Sequence, residues 1–364
     1  MFQNLKIFLV VIVFTFSGLL SFAQYSAKTL QQFDKALQYY NLQEYENATI
    51  EIKKILKKNP DFVDATLLLA DVYNGAESTE LEIETLESAL QYAQNALIYL
   101  RLGKAYYSLG EYEKALYNFE IYLQKKGISE ARKTEVERII LNCRFAIDAV
   151  KNPVDFNAER LSENINTKND EYWPSISLDG SKLVFTRLLK PTTGLPQEDF
   201  FISEYDTAGW AMASPIIEIN THENEGAQAL SADGRLLFFT ACNRPDGRGS
   251  CDIYYSVYNG KFWSKPINAG TILNSYQWDA QPTLSSDNRY LYFSSNRDGG
   301  KGKKDIWRAE LLEIKENGKL RWSVPENVGE VINTSGDEIS PFIHPDNKSF
   351  YFASDYHIGL GGFD

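Results

Sequence analysis

The stretch Glu171-Tyr-Trp-Pro-Ser-Ile-Ser-Leu-Asp179-Gly decides the fold, because the chain repeats its pattern three more times. The further copies span residues 225–234, 279–288 and 338–347, and each starts with an acidic residue and ends in an Asp-Gly or Asp-Asn pair. The turn aspartates Asp179, Asp233, Asp287 and Asp346 are 54, 54 and 59 residues apart. A nearly constant period of this length predicts a repeat architecture, and such folds mostly present surfaces for binding.

Each repeat has the pattern of short antiparallel strands. The Asp-Gly or Asp-Asn pair marks a tight turn, and an apolar strand follows it and closes on a phenylalanine six residues after the turn aspartate. A third strand opens with Asp199, Asp252 or Asp305, and a fourth carries Trp210, Trp263 or Trp322. An asparagine stands thirteen residues before each turn aspartate, at Asn166, Asn220, Asn274 and Asn333. Four short strands per repeat predict the blade of a β-propeller.

The strand half resembles the WD-like propellers of the TolB type. The loops Asn243-Arg-Pro-Asp-Gly and Asn296-Arg-Asp-Gly-Gly and the strand Asp252-Ile-Tyr carry this resemblance. The first repeat departs from it, with Leu189-Lys-Pro-Thr-Thr-Gly in place of the Asn-Arg loop. The chain ends at Asp364, where a third strand would open, which leaves about three and a half blades. Because proteins avoid raw sheet edges, we expect an incomplete propeller in a truncated chain.

The preceding segment has helical apolar spacing with a period of about 34 residues. Its first and third units resemble tetratricopeptide repeats, with small residues where paired helices cross closely: Ala36, Ala48, Gly103 and Ala115. The second unit departs from the pattern, because Glu82 stands at a small-residue position. The resemblance implies an α-solenoid whose groove binds a peptide or protein. The alternative is that the solenoid is only a spacer or brace.

The first residues predict a secretory signal peptide. Lys6 precedes an apolar run from Ile7 to Leu20, and Ser21-Phe22-Ala23 supplies small residues at the cleavage positions. The alternative is a membrane anchor, but the run is short for a span of about 20 residues. We therefore predict a signal peptide at 1–23, a solenoid at 24–152 and a propeller at 153–364. No later segment could cross a bilayer as a helix.

Composition and motifs argue against several functions. The net charge of −12 and the pI near 5.0 argue against nucleic acid as a partner, because its phosphates need a basic face. The three histidines have no partner at metal-ligand spacing, and neither a Gly-x-Ser-x-Gly elbow nor a phosphate loop occurs. We expect no metal, no cofactor and no catalytic residue within this chain.

Two sets of residues are candidate sites. An acidic residue stands eight before each turn aspartate, at Glu171, Glu225, Asp279 and Glu338. If the innermost strands line a channel, these carboxylates form a ring that could hold a cation or a basic peptide end. The alternative is that each carboxylate caps backbone N–H groups at the entry to its own blade.

The second candidate is a disulfide between Cys242 and Cys251. Cys242 ends a second strand and Cys251 begins the third, so the two residues face each other across a hairpin at a separation that suits a disulfide. Two free thiols are the alternative. Cys143 lies on the apolar stripe of the last helix and is expected to be a buried thiol.

The order of signal peptide, tetratricopeptide units and TolB-like propeller is similar to that of the OmpA-family envelope proteins of gliding bacteria. The resemblance implies a non-catalytic scaffold, in the periplasm and associated with the outer membrane, that binds envelope proteins or peptides. It also implies a downstream OmpA-like domain for peptidoglycan and a role in type IX secretion or gliding. The alternatives are a propeller that senses a solute, cation or glycan, and an exported enzyme whose catalytic domain lies downstream.

Overall fold

The computed structural model describes residues 25–191, 194–315 and 318–364. The predicted signal peptide, residues 1–23, lies outside the described residues. Contacts divide the chain into two compact units, Met1–Pro153 and Val154–Asp364. Within the described ranges, no helix is long and apolar enough to cross a membrane.

The described part of the first unit consists of three helical hairpins and a longer final helix. The helices are α1 (Ala27–Asn41), α2 (Tyr45–Leu56), α3 (Val63–Gly75), α4 (Thr79–Ala89), α5 (Ala96–Ser108), α6 (Tyr112–Leu123) and α7 (Glu130–Lys151). Helices α1, α5 and α7 start where a side-chain oxygen of Ser26, Asn95 or Ser129 accepts a backbone N–H of the first turn. Successive hairpins pack on one another, which makes this unit an α-solenoid.

Small residues permit the close helix pairs, as the sequence predicts. Ala36, Ala48 and Ala115 are fully buried. A Cβ atom on Gly103 would lie 2.5 Å from Cε1 of Phe119, so α5 and α6 approach closely only because residue 103 is glycine.

The second hairpin has a carboxylate side chain, Glu82, where the other hairpins have a small residue. Glu82 is only 2% exposed, and its Oε2 accepts a hydrogen bond from Nδ2 of Asn74 at 3.1 Å. Burial raises the pKa of the Glu82 carboxyl above its usual value. The second hairpin therefore keeps its geometry although it buries a carboxylic acid side chain.

The second unit is a series of antiparallel sheets in chain order. The first has β1 (Asp170–Ile176), β2 (Lys182–Leu189), β3 (Gln197–Asp206), β4 (Gly209–Trp210) and β5 (Ser214–Pro215). The second has β6 (Glu225–Leu230), β7 (Leu236–Cys242), β8 (Cys251–Val257) and β9 (Ile267–Asn268). The third has β10 (Asp279–Leu284), β11 (Tyr290–Ser295), β12 (Asp305–Ile314), β13 (Leu320–Trp322) and β14 (Glu326–Asn327). The fourth has β15 (Glu338–Ile343) and β16 (Phe350–Ser354).

Neighbouring sheets pack face to face through apolar cores. Phe200 of the first sheet meets Phe239 of the second, with ring centroids 5.2 Å apart. Phe238 and Tyr255 of the second sheet share another core with Phe293 of the third. This blade-on-blade packing confirms the predicted fold class, an α-solenoid followed by an incomplete β-propeller of four-stranded antiparallel blades. The outermost strand is split into two short segments in the first and third blades.

The innermost strand of every blade has a bulge. Its register shifts by one residue two positions after the acidic residue, where φ is between +52° and +57° in all four blades. The residues at this position are Trp173, Ala227, Gln281 and Ser340. None is glycine, so each blade holds an unfavourable backbone conformation that its surroundings must enforce.

The recurring asparagine ties the loop that leads into the next blade to the third strand of the preceding blade. The amide of Asn274 accepts the N–H of Ile253 at 2.9 Å and donates to its carbonyl at 3.0 Å. Asn220 and Asn333 make the same pair of bonds to Phe200 and Ile306. Asn166 instead donates to the carbonyl of Leu161.

Candidate functional site

The four candidate carboxylates make the same local contacts in every blade. Each accepts the backbone N–H and the hydroxyl hydrogen of a Thr or Ser four residues earlier: Thr167, Thr221, Ser275 or Thr334. For Glu338 these bonds are 2.8 Å from the Thr334 N–H and 2.5 Å from its hydroxyl. The carboxylate with its Thr or Ser partner is called the acidic anchor below. It closes the turn through which the chain enters each blade.

An arginine completes the anchor in the first three blades. The Asn-Arg loops supply Arg244 and Arg297. Nη2 of Arg244 donates to Oε1 of Glu225 at 2.5 Å, and Nη2 of Arg297 donates to Oδ1 of Asp279 at 2.5 Å. Arg297 also donates to the carbonyl of Leu273 at 2.6 Å. Burial still raises the pKa of the Glu225 carboxyl, against the opposing effect of the Thr221 and Arg244 hydrogen bonds.

The first blade lacks the Asn-Arg loop and replaces its arginine from another position. Arg187 on β2 donates from Nε to Oε1 of Glu171 at 2.8 Å and from Nη2 to the carbonyl of Ile165 at 2.7 Å. The fourth blade uses Ser354, whose hydroxyl donates to Oε1 of Glu338 at 2.8 Å. None of these partners was predicted from the sequence; Arg244 and Arg297 at least stand in the recurring Asn-Arg loops, whereas Arg187 and Ser354 stand at no recurring position.

The four carboxylates are closed off from solvent. Glu225, Asp279 and Glu338 are fully buried, and the side chain of Glu171 is 8% exposed. In the described part of the chain, no group of three or more His, Cys, Asp or Glu side chains is placed to hold a metal ion. The geometry is that of backbone capping within each blade, and it offers no open carboxylate ring.

The two candidate cysteines do meet. They are directly opposite in the β7–β8 register, and a disulfide joins them with their Cα atoms 4.0 Å apart. The bond closes the loop of residues 243–250, which carries Arg244 of the second anchor. Cys143 is buried in α7, and burial raises the pKa of its thiol to about 11, which makes it unreactive.

Two clefts open along the innermost strands instead. One, of about 400 Å³, is lined by all four of these strands, and Pro174, Pro282 and Pro341 line it directly after the bulge residues. The other, of about 280 Å³, is lined by residues of the first three blades, among them Tyr172, Trp173, Glu198, Glu223 and Trp278. None of the four anchor carboxylates lines either cleft.

The solenoid has a groove of its own between α6 and α7. Its volume is about 420 Å³, and Leu123, Ile140 and Leu141 line it together with Glu120 and Glu137. Arg144 spans the groove edge and donates to Glu120 at 3.1 Å. Along the odd-numbered helices, an ion pair joins Arg101 of α5 to Asp71 of α3.

Solved structures of three kinds of protein are similar to parts of the chain. TolB from Acinetobacter baumannii is 16% identical with a TM-score of 0.35; the match covers 52% of this chain and only 39% of TolB. The Sgt2 TPR domain from Aspergillus fumigatus is 17% identical with a TM-score of 0.32, over 38% of this chain and 91% of that domain. An α-L-arabinofuranosidase from Lactobacillus brevis is 12% identical with a TM-score of 0.35, over 54% and 67%. No family model matches the sequence, and no curated protein matches it.

Proposed function

We propose that the chain is a non-catalytic scaffold of the bacterial envelope that binds protein partners through its repeat surfaces. The observation that carries the proposal is a pair of exposed apolar side chains on α7, Leu141 and Phe145, which are 46% and 47% exposed. They are four residues apart and therefore share one face of the helix. Leu141 also lines the α6–α7 groove. Exposed apolar side chains beside a groove are typical of a protein docking surface.

The groove also indicates the chemistry of its partner. Leu123 and Ile140 line it with apolar surface, and the carboxylate of Glu137 lines it beside the Arg144–Glu120 ion pair. A partner segment with an apolar face and flanking basic residues complements both features. Amphipathic helices commonly bind in this way.

The test is cross-linking in cells that express the full chain. Leu141→Glu and Phe145→Glu place a charge on the docking face, and Ile50→Glu is the matched control, because Ile50 is 52% exposed on α2. We expect the unaltered chain and the control to cross-link to the same polypeptide and the α7 variants to lose it. If all variants still cross-link to the partner, the α7 surface is not its binding site. If no variant captures a specific protein, the scaffold proposal is wrong.

The finer proposal is a periplasmic tether of the OmpA family that serves type IX secretion or gliding. The signal-like residues 1–23, the order of solenoid and propeller, and the Cys242–Cys251 disulfide support it, because disulfides persist in oxidising compartments. Peptidoglycan binding would belong to a downstream domain. Sequencing the gene beyond codon 364 and fractionating cells test this: a parent without such a domain, or a cytoplasmic location, contradicts it.

The non-catalytic part of the proposal has its own test. The arabinofuranosidase is similar only at 12% identity, and the anchor carboxylates are engaged within their blades. We therefore expect no sugar release from a chromogenic α-L-arabinofuranoside. Release that Glu225→Gln abolishes without unfolding the chain would show an enzyme. The alternative function, a propeller that senses a small ligand, is favoured by the 400 Å³ cleft.

A further inference from the structure

The 280 Å³ cleft differs from the repeat pattern at the positions that form its walls. Tyr172 and Trp173 correspond to Gly226 and Ala227 in the second blade and to Ala280 and Gln281 in the third. Glu198 corresponds to Cys251 and Lys304. The second and third blades therefore form the same geometry with small or chemically different residues at these positions. The aromatic and acidic side chains of the first blade are therefore not required by the fold.

Trp173 is also strained. Its φ is +52°, in the left-handed region that a bulky side chain rarely adopts. The bulge demands this conformation in every blade, but only the first blade places an indole there. The positive φ therefore belongs to the bulge, and the bulky indole at this position is what distinguishes the first blade.

The charge of the cleft is negative. Glu198 and Glu223 line it, and no Lys or Arg does. Oε1 of Glu198 accepts the hydroxyl hydrogen of Tyr172 at 2.5 Å, and no basic group of the described residues forms an ion pair with Glu198. Burial and this hydrogen bond raise the pKa of Tyr172, which keeps its hydroxyl a donor. The ammonium of Lys304 lies 5.0 Å from the ring centroid of Trp278. Oδ1 of Asp337 lies 4.0 Å from the same ammonium.

We propose that this cleft binds a lysine side chain of a partner protein, with its ammonium paired to Glu198 and held against the indole of Trp173, while Trp278 lines the cleft beside it. Indole faces and carboxylates together recognise alkylammonium groups. The volume lies just below the roughly 300–1,000 Å³ of most small-molecule sites, which suits one long side chain. The inference rests on the proposed scaffold function and names one residue type that the scaffold captures.

The test is titration of the full chain with acetyl-Gly-Lys-Gly-amide, followed by the indole N–H signals of Trp173 and Trp278 in NMR spectra. Acetyl-Gly-norleucine-Gly-amide is the uncharged probe. We expect only the lysine peptide to shift both signals. Glu198→Gln should weaken its binding about three- to tenfold, since it removes one partner of the cation. Glu204→Gln on the same strand β3 is the matched control and should leave affinity unchanged.

Three outcomes overturn the inference. Equal binding of the norleucine peptide would make the cleft merely apolar. Shifts of both indole signals with N-acetylglucosamine but not with the lysine peptide would make it a glycan site. If the lysine peptide shifts neither signal, the cleft does not bind a lysine side chain. Failure here leaves the scaffold proposal standing if the α7 variants still lose their partner, so the two results are separable.

Discussion

At the residue scale, the acidic anchors show how strictly a buried charge must be paired. Asp279 has no exposed surface, and Arg297, Ser275 and the backbone together provide its hydrogen bonds. A charge removed from water in this way is tolerated only while its partners remain. The anchors are therefore points where single substitutions have large effects on stability.

Arg297→Met tests this demand. It leaves the Asp279 carboxylate buried without its cation, so we expect the free energy of unfolding to fall by about 3–5 kcal/mol. Arg289→Met is the matched control, because Arg289 forms an exposed ion pair with Glu310 and such pairs contribute little. Urea unfolding measures both. An equal loss in the two variants would contradict the role of burial.

At the element scale, α4 is the helix that departs from the tetratricopeptide pattern, and its buried Glu82 makes the solenoid sensitive to pH. Because burial raises the pKa of Glu82 in the folded state, the folded chain holds this proton more tightly than the unfolded chain. Stability from this group is therefore present at low pH and is lost as pH rises from the ordinary glutamate pKa through the raised one.

Glu82→Gln removes this pH dependence. We expect the variant to gain stability relative to the unaltered chain as pH rises from about 4 to 7, by about 1.4 kcal/mol for each unit of pKa difference. Urea unfolding at both pH values measures the gain. Glu80→Gln, on the exposed side of the same helix, should show no such trend. A constant difference at all pH values would sink the explanation.

The hairpin of β7 and β8 is the second element with a specific consequence. Its disulfide closes a loop with a sequence separation of 9 residues, which corresponds to about 2–3 kcal/mol in the chain-entropy account. Replacing Cys242 and Cys251 together with serine should lower the free energy of unfolding by this amount. Dithiothreitol should destabilise the unaltered chain equally and leave the double variant unchanged. An unaltered chain that resists the reductant would contradict this expectation.

The sequence predicts those features whose physics is local. A turn such as Asp179-Gly180 needs only the few residues around it, so the blades and their period are visible in the printed chain. The anchor partners were harder to predict. Arg187 reaches Glu171 from sixteen residues away on another strand, and nothing in its neighbourhood marks it. The left-handed φ of Trp173 has no signal either, because the usual signal for that conformation is glycine.

At the scale of the whole propeller, the four anchors remain four separate sites. Their carboxylate oxygens are engaged by groups of the same blade, which already occupy positions that a cation would need. We expect calorimetric titration of the full chain with calcium to release no heat beyond dilution. Saturable heat that Glu225→Gln abolishes would show that the carboxylates do converge on a cation.

Each acidic anchor is complete within a single repeat, from the Thr or Ser before the first strand to the arginine or serine at the end of the second. A duplicated repeat would therefore carry both its buried carboxylate and the partners of that carboxylate. Its insertion would not require a change of charged residues in any other repeat. Propellers assembled from such self-neutralised modules can lengthen by recombination of one genetic unit. The blade-specific residues, such as Trp173 and Glu198, are then free to diverge toward individual binding tasks.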